Sequence, residues 1–466
     1  MATLTFLGAV GEVTGSRYLI ETDDATLLLE CGLHQGNAQA DKANRASLRK
    51  LARQVDAVIL SHGHLDHSGL VPKLVRDGYR GPVFCTPGTR DLLRVMWKDA
   101  AFVMGKDVEW ENKWRRRADR PLLEPLYEED DVDTALELSE PVRYNRVHAL
   151  PGDARLEFHD AGHILGSAIV DLTVPSGGRD RRLLFSGDLG NPDSVLMHDP
   201  ARLEHADVVL LESTYGDRDH RPMAETIEEL AGILEQAYAD GGNVLIPAFA
   251  VGRTQEILYH LSTLHHQGRL HHQKIFLDSP MAIQVTELYA RRREALNEED
   301  LTRLERAANG GPADYLPPLQ FSRTVEDSMA INRIHGGAII IAGAGMCNGG
   351  RIRHHLKYNL WRQDAHVVFV GFQAAGTLGR SLVDGVKRVK LLGSEVAVKA
   401  SIHTLGGFSA HAGQTQLLEW AAAFRDRPAF HLVHGEPEAQ QALAEALKAQ
   451  LGIDAGIPGH GDVIKL

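Results

Sequence analysis

SHGHLDHSG, residues 61–69, is the stretch that decides the fold of this chain. Within six residues, directly after the apolar run VDAVIL, it contains His62, His64, Asp66 and His67. Imidazoles crowded in this way would repel one another on protonation, and a polar loop offers them no core to pack against. Neutral imidazoles and a carboxylate suit a borderline cation such as zinc. The stretch therefore predicts a metal site at the end of a buried strand.

The composition is that of a globular enzyme with more than one domain. The chain has 466 residues, of which 43% are hydrophobic and 24% charged, and its length favours two or more domains. No run is long and apolar enough for a membrane span, and the N-terminus has no signal-peptide pattern. Three widely spaced cysteines argue against a disulfide framework and predict a cytoplasmic protein. A net charge of −12 disfavours a surface that binds nucleic acid everywhere, but leaves room for a local basic channel.

Two patterns of strands follow one another along the chain. Strand-like runs that end in Gly, Ser, Asp or His fill residues 1–217, and similar His-rich strand ends return in residues 399–466. Between them, in residues 218–398, strands alternate with amphipathic helices, which predicts a parallel α/β sheet. We therefore expect a first domain made of 1–217 and 399–466, with an α/β domain inserted at 218–398. Residues 98–147 are charged, aromatic and helical in period, and fit either a lid or a solvated helical excursion.

Further metal donors share the same context, an apolar run that ends at a His or Asp. These candidates are His163, Asp188, His411 and His434. Small residues beside them let backbone and substrate approach closely. A single residue of this kind is more often structural, but their occurrence together with the cluster at 62–67 favours metal binding. The histidines of HHQGRLHHQ and of RIRHH lack the strand-end context, and those of HHQGRLHHQ are interpreted as surface residues.

These motifs, in this order, resemble those of the metallo-β-lactamase superfamily. HGHLDH at 62–67, the later His163 and Asp188 match its first motifs, while ESTYGD, PAFAVGRTQE, GFQAAGTLGR, GGFSAHAG and LVHGE resemble the β-CASP nucleases. The resemblance covers essentially the whole chain. It implies an α/β fold, the αβ/βα sandwich of the superfamily, with the β-CASP domain as the parallel-sheet insertion.

The resemblance also implies a site with two zinc ions, without excluding manganese. His62, His64 and His163 would hold one ion, and Asp66, His67 and His434 the other, with Asp188 bridging. Three motifs mark the β-CASP group, and they fall on Glu212, His411 and His434. In having a histidine at position 434, the chain resembles the RNA-processing branch of that group. The family commonly has Asp where this chain has Glu30, which would still reach a ligand histidine.

Hydrolysis of a phosphodiester needs a nucleophile, charge neutralisation and a protonated leaving oxygen. Two metal ions can supply the first two. Asp66 is the candidate to orient the attacking water or take its proton, His411 is the candidate general acid, and Glu212 is expected to orient His411. The expected substrate is single-stranded RNA, and the expected contacts with its phosphates are Arg253, Arg351, Gly376, Thr377, Arg380 and Ser409. The arginines are equally compatible with a plain surface role.

Two other interpretations remain open from the sequence. A small-molecule metallohydrolase of the same superfamily explains HGHLDH equally well, but not an inserted domain of this size. A non-catalytic scaffold subunit of an RNA-processing complex would be expected to lack ligands, whereas every proposed position carries a competent donor. The sequence does not decide between endonucleolytic and 5′-exonucleolytic cleavage, and it leaves a homo-oligomer open.

Overall fold

The structure is a computed structural model that describes residues 1–36, 38–192, 194–307, 315–374 and 376–466. These residues form two units. The first comprises Met1–Pro192, His198–Asp219 and His411–Leu466, and the second comprises residues 194–197 and His220–Ala410. No helix in the described ranges combines the length and the apolar character that crossing a membrane requires.

The strands alternate buried and exposed side chains where one face meets solvent, as in TLTFLG, and are buried throughout in the interior of each sheet. In chain order the described strands are β1 Thr3–Gly8, β2 Arg17–Glu21, β3 Thr26–Leu29, β4 Ala57–Ile59, β5 Val83–Cys85, β6 Ser139–Pro141, β7 His148–Ala149, β8 Arg155–Asp160, β9 Ala168–Ser176, β10 Arg179–Phe185, β11 Val208–Glu212, β12 Val244–Pro247, β13 Lys274–Leu277, β14 Leu319–Phe321, β15 Ala338–Ala342, β16 His366–Phe369, β17 Arg388–Leu391, β18 Ser394–Ala397, β19 Ser401–Thr404, β20 Ala429–Val433 and β21 Val463–Lys465.

Helices cover the sheets and connect the parallel strands. The described α-helices are α1 Ala38–Arg45, α2 Arg49–Gln54, α3 Leu65–Ser68, α4 Val71–Arg76, α5 Pro87–Arg117, α6 Glu129–Glu137, α7 Met223–Asp240, α8 Arg253–His266, α9 Pro280–Arg291, α10 Glu298–Ala307, α11 Val325–Ile331, α12 Ile352–Asn359, α13 Leu378–Val383, α14 Gln414–Ala421 and α15 Pro437–Leu451. Short 3-10 turns occur at Pro151–Asp153 and Arg293–Ala295.

The first unit is a four-layer sandwich. One sheet has the strand order β21-β1-β2-β3-β4-β5-β6 and the other β20-β11-β10-β9-β8-β7. Their facing sides share one core, in which Leu4 and Ile59 of the first sheet join Leu172 and Leu210 of the second. The helices α2, α4, α5 and α6 pack on the outer face of the first sheet, and α14 and α15 on the outer face of the second. The predicted αβ/βα architecture is confirmed.

The second unit is a doubly wound α/β domain. The six strands of its main sheet run in the order β14-β13-β15-β12-β16-β19, and every described pair in that sheet is parallel, while β17 and β18 form a separate antiparallel pair. Separate apolar clusters cover its two faces. The parallel insertion is therefore confirmed. Its boundaries in the structure lie at 219/220 and 410/411, instead of the expected 217/218 and 398/399. The second boundary is later because β19 pairs with β16 of the insertion.

Candidate metal centre

The loop after β4 is held in place by a buried carboxylate beneath it. Glu30 is fully buried and accepts hydrogen bonds from the Ser61 backbone amide at 2.6 Å and from the Ser61 hydroxyl at 3.0 Å. Its Oε2 lies 2.5 Å from Nδ1 of His67. Since Nδ1 is engaged in this way, Nε2 of His67 is the nitrogen that points into the site. Glu30 has a φ of 62°, a left-handed conformation that a non-glycine residue adopts only when its surroundings impose it.

Three histidines and one carboxylate oxygen form the first group of donors. His64 Nδ1 lies 3.1 Å from His62 Nε2 and 3.3 Å from His163 Nε2. Asp188 Oδ2 lies 3.4 Å from His62 Nε2 and 3.6 Å from His163 Nε2. His62, His163 and Asp188 are buried. The four donors therefore enclose one point from all sides.

A second group of donors shares the same aspartate. His67 Nε2 lies 3.1 Å from His434 Nε2 and 3.3 Å from Asp188 Oδ1. Asp66 Oδ2 is 3.7 Å from His434 Nε2. His434 follows β20 and has a φ of 50°, so its backbone is also in the left-handed region. Asp188 thus contributes one oxygen to each group, as a bridging ligand would.

The donors fit metal ions in both groups. Ligands about 2.0–2.1 Å from a tetrahedral zinc lie roughly 3.3–3.4 Å from one another, and the separations seen here, from 3.1 to 3.7 Å, lie around that value. Asp188 Oδ1 is buried and accepts no hydrogen bond from the described residues, which would be costly without a cation nearby. Closely spaced imidazole nitrogens of this kind are likewise accounted for by coordination. Imidazole nitrogen and carboxylate oxygen are among the donors that zinc takes.

The ionisation of His62, Asp66 and Asp188 agrees with this use, whereas Asp188 and Glu30 outweigh the effect of burial on His67 and raise its pKa well above the ordinary value. Burial lowers the pKa of His62 well below its ordinary value, and His67 acts in the same direction, so His62 is neutral and able to coordinate. Burial alone would raise the pKa of Asp66, but the hydrogen bond with His434 and the charge of His67 outweigh it and lower the pKa to about 2. The pKa of Asp188 is also lowered well below its usual value, because His434 and His67 outweigh the effect of burial.

His411 lies at the edge of the first group and pairs with a buried glutamate. Its ring centroid is 4.5 Å from that of His163, and its Nδ1 is 3.2 Å from Glu212 Oε1. Glu212 is fully buried at the end of β11, and the Leu189 amide donates to its Oε1 at 2.7 Å. Burial lowers the pKa of His411, but the charges of Glu212 and Asp188 outweigh it and raise the pKa to about 9. His411 can therefore hold a proton beside the metal ligands.

Two residues that the motif analysis did not single out support the site. The Ser61 hydroxyl lies 3.0 Å from Nδ1 of His62, in addition to its bond with Glu30. Thr214 Oγ1 lies 3.1 Å from Nδ1 of His434 and donates to the His434 carbonyl at 3.2 Å. Both orient a ligand histidine through the ring nitrogen that faces away from the metal. Ser61 directly precedes HGHLDH, a position that could have identified it, whereas Thr214 is 220 residues away from His434 in the sequence.

The predicted RNA contacts do not all lie free on the surface. Arg253 forms a buried ion pair with Glu256, and its guanidinium is 5.7 Å from the ring centroid of Phe408. Arg351 Nη1 donates to the buried carboxylate of Asp278 at 2.7 Å and to the Ser322 carbonyl at 3.0 Å. These contacts tie both arginines to the inside of the second unit.

The remaining predicted contacts lie in a turn and at a domain boundary. Gly376 has a φ of 79°, and Thr377 Oγ1 accepts from the Arg380 amide at 3.1 Å to cap α13. The Arg380 side chain is 47% exposed and pairs with Asp384 at 2.9 Å. Ser409 is buried, and its carbonyl accepts from the Ser194 hydroxyl. Arg380 is therefore more accessible than Arg253 or Arg351.

Comparison with known families agrees with the site. The Metallo-beta-lactamase superfamily matches residues 10–233, the Beta-Casp domain 254–382, and the Zn-dependent metallo-hydrolase RNA specificity domain 395–458. The first match contains His62 to His67, His163, Asp188 and Glu212, and the last contains His411 and His434. All the residues of the metal centre described above fall within these two matches.

Individual relatives cover nearly the whole chain. Ribonuclease TTHA0252 of Thermus thermophilus is 43% identical, with 94% of each chain covered. Transcription termination factor FttA of Pyrococcus abyssi is 30% identical over 99% of this chain and 71% of its own length. A solved protein of unknown function from Enterococcus faecalis V583 has the same fold, with a TM-score of 0.56, 12% identity and 100% of both chains covered. The chain therefore belongs to the β-CASP ribonuclease family of the metallo-β-lactamase superfamily.

Proposed function

We propose that this protein hydrolyses phosphodiester bonds of single-stranded RNA at a centre of two zinc ions. The observation that supports this most strongly is the pair of donor groups that share Asp188. His62, His64 and His163 would hold one ion with Asp188 Oδ2, while Asp66, His67 and His434 would hold the other with Asp188 Oδ1. When bound, such ions supply Lewis acidity toward the phosphate and lower the pKa of water toward about 7.

The chain's own residues would carry the proton transfers. Asp66 has an ionised carboxylate at the edge of the second group and can orient the attacking water and accept its proton. His411 would donate a proton to the leaving ribose oxygen. Glu212, which is buried and hydrogen-bonded to His411 Nδ1, fixes the ring so that Nε2 carries the proton to be transferred. The product is a phosphomonoester and a free hydroxyl.

RNA binding is proposed to use the turn at Gly376 and Thr377 and the exposed side chain of Arg380. The match to an RNA specificity domain at 395–458 and the ribonuclease named among the relatives support RNA as the substrate class. Because Arg253 and Arg351 are paired inside the second unit, we assign them to its internal structure and not to phosphate binding.

The test is cleavage of RNAs labelled at the 5′ or the 3′ end, with and without a chelator. We expect the protein to shorten single-stranded RNA, to lose this activity in the chelator, and to regain it on addition of zinc. Products from the two labels distinguish internal cleavage from cleavage at the 5′ end. Intact RNA in every condition, together with hydrolysis of a thioester substrate, would instead identify a small-molecule hydrolase.

A further inference from the structure

The long helix α5 has a buried first half and an exposed second half. In the first half, Trp97 is buried and its Nε1 donates to the Ser68 hydroxyl at 3.2 Å. A Cβ added at Gly63 of the metal-binding loop would lie 3.1 Å from Leu92 Cβ. The helix therefore begins against the loop that carries the metal ligands. Beyond Ala101 no residue of the helix is fully buried, although the partly buried Met104 still packs against the core.

The second half of the helix carries large aromatic side chains in solvent. Phe102, Trp110 and Trp114 are 65%, 62% and 53% exposed. The rings of Trp110 and Trp114 are 6.1 Å apart between centroids, at an angle of 66°. Separations of eight and four residues, about two turns and one turn, keep these rings on one side of an α-helix. Neighbouring exposed aromatic side chains that form a contiguous patch are a feature of binding surfaces.

Basic side chains alternate with the rings along the same side. Lys106 Nζ lies 5.8 Å from the centroid of the Phe102 ring, and Arg117 Cζ lies 5.2 Å from that of Trp114. Lys113, one turn after Trp110, lies on the same side by its spacing. We call this surface the aromatic–basic face; it consists of Phe102, Lys106, Trp110, Lys113, Trp114 and Arg117.

The charge of the face is local and largely uncompensated. The run KWRRRADR, residues 113–120, has five basic residues and one acidic residue, in a chain whose net charge is −12. Arg115 pairs with Glu111 at 3.1 Å and Lys106 with Glu109 at 2.9 Å. Among the described residues, no carboxylate lies within ion-pair distance of the Lys113 or Arg117 head groups. Positive potential is therefore concentrated at this end of the helix.

We propose that the aromatic–basic face binds single-stranded RNA outside the metal centre, with bases stacked on Trp110 and Trp114 and phosphates paired with Lys113 and Arg117. Alternating rings and cations are what a single-stranded polyanion requires, whereas the centres of protein interfaces are depleted of lysine. The inference rests on the proposed ribonuclease function. At about 1.5 Å per residue, Trp110 lies about 27 Å along the helix from Leu92. Long RNAs would therefore gain contacts that short RNAs cannot reach.

The test compares kcat and KM of the zinc-loaded protein for homopolymeric RNAs of about 30 and about 5 nucleotides, since single-stranded sites span roughly 4–16 nucleotides. The double variant Trp110→Leu/Trp114→Leu removes the rings but keeps apolar side chains. We expect its KM for the long RNA to rise about 10-fold or more, with kcat and the KM for the short RNA unchanged. Trp110→Phe/Trp114→Phe should recover most of the affinity. Trp361→Leu, which changes a tryptophan that is 53% exposed in the second unit, should behave as the wild type.

Salt dependence checks the role of the cations. Lys113→Ala/Arg117→Ala should reduce the slope of log KM against log salt by about 0.7 for each lost phosphate contact. An unchanged KM for long RNA in the leucine variant, while the wild type cleaves that RNA, would overturn the inference and leave the ribonuclease function intact. The inference would also be overturned if Trp110→Leu/Trp114→Leu changed the sedimentation of the protein but not its KM for either RNA. The face would then contact another copy of the chain. A wild type that cleaves neither RNA would contradict the proposed function itself.

Discussion

At the scale of single residues, proton donation to the leaving oxygen is assigned to a histidine outside both donor groups. His411 is bound to Glu212 and lies beside the ligands without belonging to either donor group. We expect His411→Ala to retain its zinc and to lose about 10²- to 10⁴-fold in the rate of RNA cleavage. The measurement is kcat together with the metal content of the same sample.

His205→Ala is the matched control for that variant. His205 is 53% exposed and pairs with Asp426, so its loss should alter neither rate nor metal content. Wild-type turnover by His411→Ala would contradict the assignment of the general acid. Loss of zinc from His411→Ala would indicate that His411 is a ligand.

The grouping of the candidate donors could be predicted from the sequence because their signal is local. HGHLDH crowds four donors into six residues, and His163, Asp188 and His434 each follow an apolar run. The supporting contacts could not be predicted in the same way. Thr214 and His434 are far apart in the sequence, and their hydrogen bond follows from the pairing of β11 with β20. The left-handed backbone of Glu30 and His434 has no sequence signal, since neither residue is a glycine.

At the scale of elements, Arg351 and Arg380 differ in their surroundings, although the sequence predicts the same role for both. Arg351 joins the start of α12 to Asp278 after β13, a carboxylate that also receives the Ser328 hydroxyl at 2.6 Å. Removing the arginine takes one partner from a buried carboxylate, which keeps the Ser328 hydroxyl and His355 Nε2 at 2.6 Å. We expect Arg351→Ala to lower the free energy of unfolding by roughly 1.5–3 kcal/mol, measured by urea denaturation.

Arg380→Ala is the comparison variant for this prediction. Its side chain pairs with Asp384 near the surface, and exposed pairs contribute about 0–1 kcal/mol. We expect Arg380→Ala to weaken RNA binding with little change in stability. The opposite pattern, a stable Arg351→Ala with weakened RNA binding, would restore Arg351 as a phosphate contact.

The elements themselves were predictable where one pattern dominated. Strands that alternate with amphipathic helices predicted the parallel sheet of the second unit, which the structure has. The boundary at 398/399 differs from the structure because SIHT resembles the His-rich strand ends of the first unit. SIHT belongs to the second unit because β19 pairs with β16, a contact between residues far apart in the sequence. The sequence also left the role of residues 98–147 open. A helical period does not show which half of α5 packs against the core and which half faces solvent.

At the scale of the whole molecule, the metal centre depends on the complete fold of the first unit. Its donors span residues 62 to 434 in sequence, and the insertion of the second unit separates Asp188 from His434. The ends of β4, β11 and β20 bring loops from both sheets of the sandwich to one site. Metal binding should therefore stabilise the first unit, because the folded chain holds the ions and the unfolded chain does not.

The most direct test is the metal content of the purified chain set against its cleavage of single-stranded RNA. Sharing of Asp188 predicts two zinc ions per chain in the wild type. It also predicts that Asp188→Asn loses retention of both ions, and RNA cleavage with them. Full activity with at most one bound ion per chain, or cleavage that persists after the metal has been removed, would contradict the dinuclear centre.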